Sequence, residues 1–332
     1  RRSPSVNERH ADLPRTTQQT THIWRAPRVI RSVVGIAACT CMNGQKRYTR
    51  EANVRNRQPT EPTKPIGTAV ITGASSGIGA AYARELARRG LRPVLVARRM
   101  GRLEEIATTI RRDTGTSCRI WRADLSHREE IERVAAKLET ISDLDVLVNN
   151  AGLGLVGRFH HLDAAAHTAM MELHVTAPTL LSHAALPGML RRGRGAIVLT
   201  ASVAAFFCLP CSVDYCATKA YGVVLADCLA QEVRGTGVRV QALCPGLVKT
   251  EFHEHLGPEW DCVRQLPSPL WLSPQQVVAA SLKGLTTDRT LVITGFPYRV
   301  AVALRRRPLL QPAIRAIIRI GHRRMYSSTR RP

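Results

Sequence analysis

Three side chains with complementary proton chemistry fall close together: Ser202, then Tyr215 thirteen positions on, then Lys219 four further. On a helix, positions four apart share a face, so Tyr215 and Lys219 project together. An ordinary phenol titrates near about 10 and is a poor base near neutrality. A neighbouring ammonium favours the phenolate and lowers that value. A shift of two or three units corresponds to roughly 3–4 kcal/mol, a reasonable demand in a partly desolvated cleft. A lone Tyr-x-x-x-Lys is commonplace and usually structural. This one gains weight because it follows a serine that ends an apolar strand.

A second stretch carries a different chemistry. Residues 70–79 read Val-Ile-Thr-Gly-Ala-Ser-Ser-Gly-Ile-Gly. The apolar run before the glycines suits a buried strand. Gly73, Gly77 and Gly79 allow a sharp turn and the close approach of something bulky. The helix that follows begins with free N–H groups and the positive end of its dipole, a ready site for a pyrophosphate. Gly73, Ser75, Ser76, Gly77, Ile78 and Gly79 are therefore candidate binding residues.

Both stretches must be placed by the elements around them. From residue 67 to 295, strands and helices alternate. Strands are expected at 68–72, 92–97, 118–123, 145–149, 196–200, 238–243 and 290–294. Helices are expected at 78–89, 102–112, 127–140, 164–192 and 215–234, with 251–272 an irregular apolar cover. This alternation implies an α/β domain: a Rossmann-like, doubly wound parallel sheet of about seven strands with helices on both faces. Ligands of such sheets sit beyond the carboxyl ends of the strands.

The residues at those ends are informative. After the second strand come Arg98 and Arg99, where an NAD site would want a carboxylate. A guanidinium suits a 2′-phosphate through paired, charge-assisted hydrogen bonds. NADP(H) is therefore the preferred cofactor, with NAD(H) the alternative. After the third strand stand Asp124 and Leu125. After the fourth come Asn149, Asn150, Ala151 and Gly152, small enough at Ala-Gly for a flat ring to lie on the backbone. After the sixth, Pro245 and Gly246 turn the chain and bring Val248 and Thr250 toward the cleft.

Together these motifs resemble the short-chain dehydrogenase/reductase family, in order and over about two thirds of the chain. The resemblance implies hydride transfer between NAD(P) and an alcohol or ketone. It implies that Tyr215 is the general acid/base, that Lys219 binds the nicotinamide ribose and lowers the Tyr215 pKa, and that Ser202 bonds the substrate oxygen. It places Asp124 at the adenine, and Val248 and Thr250 at the nicotinamide end. One position departs from the family pattern. Where many members carry Asn in an Asn-Val-x run, this chain has His174-Val175-Thr176. The family's Asn helps hold a proton-relay water; histidine also bonds water but is larger and titrates.

Composition narrows the remaining choices. The net charge of +23 sits mainly at the ends: residues 1–65 carry 13 Lys/Arg against 4 Asp/Glu, and 299–332 carry 10 Arg and no acid. The middle is nearly balanced, and the basic ends lack interleaved aromatics, so nucleic acid is not the expected partner. Nine cysteines show neither a disulfide nor a zinc pattern; no metal is expected, and a reducing, cytoplasmic setting is. No apolar run is long enough for a transmembrane helix. The expected organisation is a basic, disordered segment over 1–65, the dinucleotide-binding domain over 66–298, and a basic amphipathic extension over 299–332. Ile314, Ile317 and Ile318 on one face of that extension, with Arg315, Arg319 and Arg323 on another, suit peripheral contact with an anionic membrane. The other expected partners are a small hydrophobic substrate, met by Phe206, Phe207, Leu209 and the tryptophan-bearing cover, and further copies of the chain. The rival reading is a sensor or scaffold that binds NADP(H) without chemistry.

Overall fold

The computed structural model describes residues 67–253, 263, 265–316 and 318–319. The expected basic segment over 1–65 lies outside these residues, as does Trp260 of the cover.

Seven strands form one parallel sheet: β1 (Gly67–Thr72), β2 (Leu91–Ala97), β3 (Arg119–Arg122), β4 (Leu144–Asn149), β5 (Gly195–Thr200), β6 (Val238–Cys244) and β7 (Leu291–Ile293). Their order is β3-β2-β1-β4-β5-β6-β7. The chain moves outward from β1 to β3, then crosses to β4 and moves the other way. Between β1 and β4 the order reverses, and a crevice opens beyond their carboxyl ends.

The sheet is apolar on both faces because helices cover both. Val70, Leu147, Ile197 and Leu199 point to one core, with α3 (Arg128–Glu139), α5 (Ala177–Arg192) and α6 (Val213–Glu232). Ala69, Ile71, Val148 and Val198 point to the other, with α1 (Gly77–Arg88), α2 (Met100–Thr114) and α7 (Pro274–Thr286). Successive strand residues alternate between the two layers, as the pleat requires.

Two helical features depart from expectation. The single helix expected over 164–192 is α4 (Ala164–Met171), a π-helical turn over Glu172–Thr176, and α5. Pro178 has no N–H to give the carbonyl four residues back, so an α-helical bond to His174 is impossible and the helix widens there. Helix α7 lies between the irregular cover and the last expected strand, in residues 273–289, where no element is expected. Ser273 and Gln276 make a reciprocal capping box with Pro274 in the first turn, a signal present in the sequence.

At the far end, α8 (Phe296–Arg305) runs across the boundary expected at 298. Val302 is buried, Tyr298 donates its hydroxyl to the Leu270 carbonyl at 2.8 Å, and the Arg306 guanidinium covers the Phe206 ring at 5.5 Å. The start of the basic extension is thus packed on the domain. Further on, Ile314 and Ile318 are half-buried while Arg315 and Arg319 are exposed; Ile317 and 320–332 lie outside the described residues. Of the cysteines, Cys244 is buried, Cys118 half-buried and Cys228 exposed.

Candidate active site

The glycine loop is set by close approach. Gly73 has φ +65° and Gly77 φ +54°, both in the left-handed region. A Cβ on Gly73 would lie 2.9 Å from the Ala151 Cα, and one on Gly77 2.9 Å from the Thr250 methyl. Only glycine lets the loop pass this close to the turns after β4 and β6. Helix α1 opens at Ser76 with no side-chain cap and no acid in its first turn. That N-terminus fits the pyrophosphate of a nicotinamide dinucleotide.

Thr72 ties β1 to the turn after β4. Its hydroxyl accepts from the N–H groups of Asn150 and Ala151, each at 2.9 Å. Asn150 returns its amide to the Thr72 carbonyl at 3.0 Å, and buried Asn149 gives its amide to the Ser182 hydroxyl at 3.1 Å. The two asparagines after β4 thus brace the floor of the crevice.

On α6, Tyr215 and Lys219 share a face, and the Lys219 ammonium lies 5.7 Å from the centre of the Tyr215 ring. Lys219 Nζ donates to the Thr200 carbonyl at 2.9 Å. Burial pulls the Lys219 pKa down to about 8. Ser202 caps the short turn after β5, accepting from the Ala204 N–H at 3.1 Å, and its hydroxyl also bonds Tyr215. The Tyr215 phenol is pushed up to about 12 by burial, against the lowering pull of that Ser202 bond. A lowering of Tyr215 by Lys219 was expected; in these protein surroundings desolvation dominates and the phenol stays protonated.

His174 sits in the π-helical turn, 5% exposed. Its Nε2 accepts the Leu153 N–H at 3.1 Å, which leaves Nδ1 protonated to donate to the Thr218 hydroxyl at 3.0 Å. Thr218 in turn donates to the Tyr215 carbonyl at 3.3 Å. Burial, then the Lys219 charge, holds His174 well below the ordinary histidine value, so the ring is neutral. Both ring nitrogens therefore serve protein groups, where the sequence suggested one for a water.

Beside Lys219 lies a small, partly open cavity of about 30 Å³, whose polar lining is Thr72, Asn149, His174, Thr200 and Thr218. Asn149 Oδ1 and Thr200 Oγ1 are buried without a protein partner. The volume suits a single water, and these two oxygens offer it partners on otherwise largely apolar walls.

At the outer end of the crevice, Arg98 is largely exposed and reaches Asp124 at 3.4 Å. Burial acts to raise the Asp124 carboxyl, but its bonds from Ser126 and the Arg98 charge outweigh that and hold it low. Leu125 is buried beside it. Val248 is buried and forms a bridge with Leu272, and the Thr250 hydroxyl donates to the Val248 carbonyl at 3.4 Å. Pro245 accepts the Val203 N–H at 3.0 Å, while Gly246 packs so closely on the Tyr298 ring that a Cβ would overlap it. The sequence reading passed over Arg102, Glu251 and Phe252. Glu251 bridges Arg99 and Arg102, and the Phe252 ring stands 5.9 Å from that of Tyr215. Glu251 lies 152 and 149 positions from its two arginines, and Phe252 stands on a different element from Tyr215, so no local pattern links them.

This geometry has counterparts in known proteins. Residues 67–260 match the family model of the short chain dehydrogenases. The chain is 35% identical to 2-(S)-hydroxypropyl-CoM dehydrogenase 3 of Xanthobacter autotrophicus, over 69% of this chain and 93% of that protein. A short-chain dehydrogenase of Sphingobium yanoikuyae, solved with NADPH, superposes with a TM-score of 0.64 at 33% identity, covering 80% of this chain and 96% of that one. The bulky-bulky ketone specific alcohol dehydrogenase of Comamonas testosteroni superposes with a TM-score of 0.62 at 32% identity, covering 69% and 86%. With the glycine loop, the Ser202–Tyr215–Lys219 set and the seven-stranded sheet in place, the chain belongs to the short-chain dehydrogenase/reductase family of NAD(P)-dependent oxidoreductases.

Proposed function

We propose that this enzyme reduces a hydrophobic ketone at the expense of NADPH, with Tyr215 as the proton donor. The observation that carries this reading is the placement of the half-buried Tyr215 phenol, hydrogen-bonded by Ser202 and with the Lys219 ammonium 5.7 Å from its ring. A protonated phenol is the form a reduction needs. Bound in the crevice, the reduced nicotinamide supplies the hydride. Ser202 and Tyr215 hold and polarise the carbonyl oxygen. As negative charge develops there, Tyr215 gives up its proton and the alcohol forms. The Lys219 ammonium, on the same helical face, stabilises the phenolate left behind. The proton is then regained through the Lys219 side, where the small cavity with its two unpartnered oxygens lies.

The apolar substrate is supported by Phe252 beside Tyr215, by the His253–Trp271 ring contact at 5.1 Å, and by the similarity to a dehydrogenase of bulky ketones. The NADP(H) preference is supported by arginines, rather than a carboxylate, at the end of β2. Contact with an anionic membrane is supported by Leu309, 93% exposed just after arginines 305–307, and by Phe296, 70% exposed with Arg299 over its ring. Self-association is supported by Val224, 61% exposed on α6, a helix apolar around much of its circumference.

The test is a turnover screen of ketones and alcohols with both cofactors, on wild type and Tyr215→Phe. Ketone reduction with NADPH that vanishes in Tyr215→Phe is the expected result. Cofactor binding with no turnover on any substrate would favour a sensor instead.

A further inference from the structure

The carboxylate of Glu251 lies between two guanidinium groups. Arg99 Nη1 is 2.8 Å from its Oε2 and Arg102 Nη2 is 3.3 Å from its Oε1. Arg99 is anchored at the same time to the glycine loop: its Nε and Nη2 donate to the Ser75 hydroxyl at 3.3 and 3.1 Å. This guanidinium is therefore fixed beside the dinucleotide crevice, at the end of β2 where the adenosine ribose would be met. Arg98, one residue earlier, turns away to Asp124. The other acid facing the pair is Glu105, 3.4 Å from Arg102 and exposed on α2 itself.

Glu251 arrives from a distant part of the chain, in the turn after β6. Its neighbour Thr250 packs its methyl against Gly77, and Phe252 stands beside Tyr215. A carboxylate and a phosphate offer a guanidinium the same kind of oxygen. Two such anions cannot share the same N–H groups, and they repel each other when close.

We propose that Glu251 is a specificity-determining residue: its carboxylate occupies the Arg99–Arg102 pair that would otherwise receive a 2′-phosphate, and so moderates the preference for NADP(H) over NAD(H). The proposal rests on the NADP(H) reading above. NADP(H) must displace Glu251 from Arg99, whereas the neutral ribose hydroxyl of NAD(H) does not compete for it. Because these groups are partly exposed, the effect is moderate and screened by salt.

The test measures dissociation constants of NADPH, NADH, 2′,5′-ADP and 5′-AMP for the full chain, as wild type, Glu251→Gln and Glu251→Ala, at low and high salt. Both variants should bind NADPH and 2′,5′-ADP about three- to tenfold more tightly at low salt. Their affinities for NADH and 5′-AMP should stay within about twofold, and the gain should shrink as salt rises. If wild type prefers 2′,5′-ADP over 5′-AMP but the variants bind the phosphorylated ligands no better, or worse, Glu251 is no competitor and the proposal falls alone. If wild type shows no preference for 2′,5′-ADP, the NADP(H) reading falls and takes the proposal with it.

Discussion

His174 and Thr218 share a 3.0 Å hydrogen bond that joins the π-helical turn to the helix bearing Tyr215. The other ring nitrogen holds the Leu153 N–H, so one neutral imidazole links the turn after β4 to α6. Its place in the family pattern suggests proton relay, but its contacts describe a strut. Asn, with a shorter side chain, does not span the same two partners in the same way.

His174→Leu should therefore act on structure and binding. It leaves the Leu153 N–H without its acceptor, at a cost of about 1–3 kcal/mol if that group stays buried. Thermal denaturation should show a Tm several degrees lower, and the cofactor dissociation constant should rise several-fold. The pH–rate profile should keep its shape between about pH 6 and 8, since the folded ring is neutral there. An acid limb in wild type that disappears in His174→Leu would restore a role in proton transfer.

Stability should depend on pH through the same ring. Its folded pKa is depressed, so the unfolded chain binds the proton first as pH falls. The contribution is whole above about 6.5, the unfolded value, and is lost as pH drops from there toward the folded one. Tm measured across that window should fall in wild type and fall less in His174→Asn, which has no proton to take up.

Lys219 sets the alkaline side. With its pKa near 8, it loses its charge as pH rises through that value, and with it the support for the phenolate. Ketone reduction should decline above about pH 8, while Tyr215, near 12, stays protonated. Lys219→Met should lower turnover at every pH and abolish this limb. A rate that stays flat to about pH 10 would show that the Lys219 charge is not needed.

Thr200→Val probes the cavity beside Lys219. It removes one of the two buried oxygens without a protein partner and keeps the carbonyl that holds Nζ. With less polar support for the ammonium, the alkaline limb should move to lower pH and turnover near about pH 8 should fall several-fold. Cofactor affinity should hold. An unmoved limb would mean that the cavity plays no part in the proton path.

Local patterns along the chain dictated the frame. The alternation of short apolar strands with helices required a parallel sheet covered on both faces, because such strands have no solvent face to offer. The glycine loop, Ser202 and the Tyr215–Lys219 pair were legible because each is a local pattern: a turn that only glycine makes, or two side chains one helical turn apart. Helix α7 was legible too, from Ser273-Pro274 and Gln276, but lay beside a stretch read as irregular. Tertiary structure alone decided the rest. Burial raised Tyr215 and depressed Lys219 and His174, since desolvation depends on what packs around a group and not on its neighbours in sequence. It supplied both partners of His174, from the turn after β4 and from α6, and it carried Glu251 across 152 and 149 positions to Arg99 and Arg102. Those contacts follow from the order in which the strands assemble, which places the turns after β1, β2, β4 and β6 around one crevice.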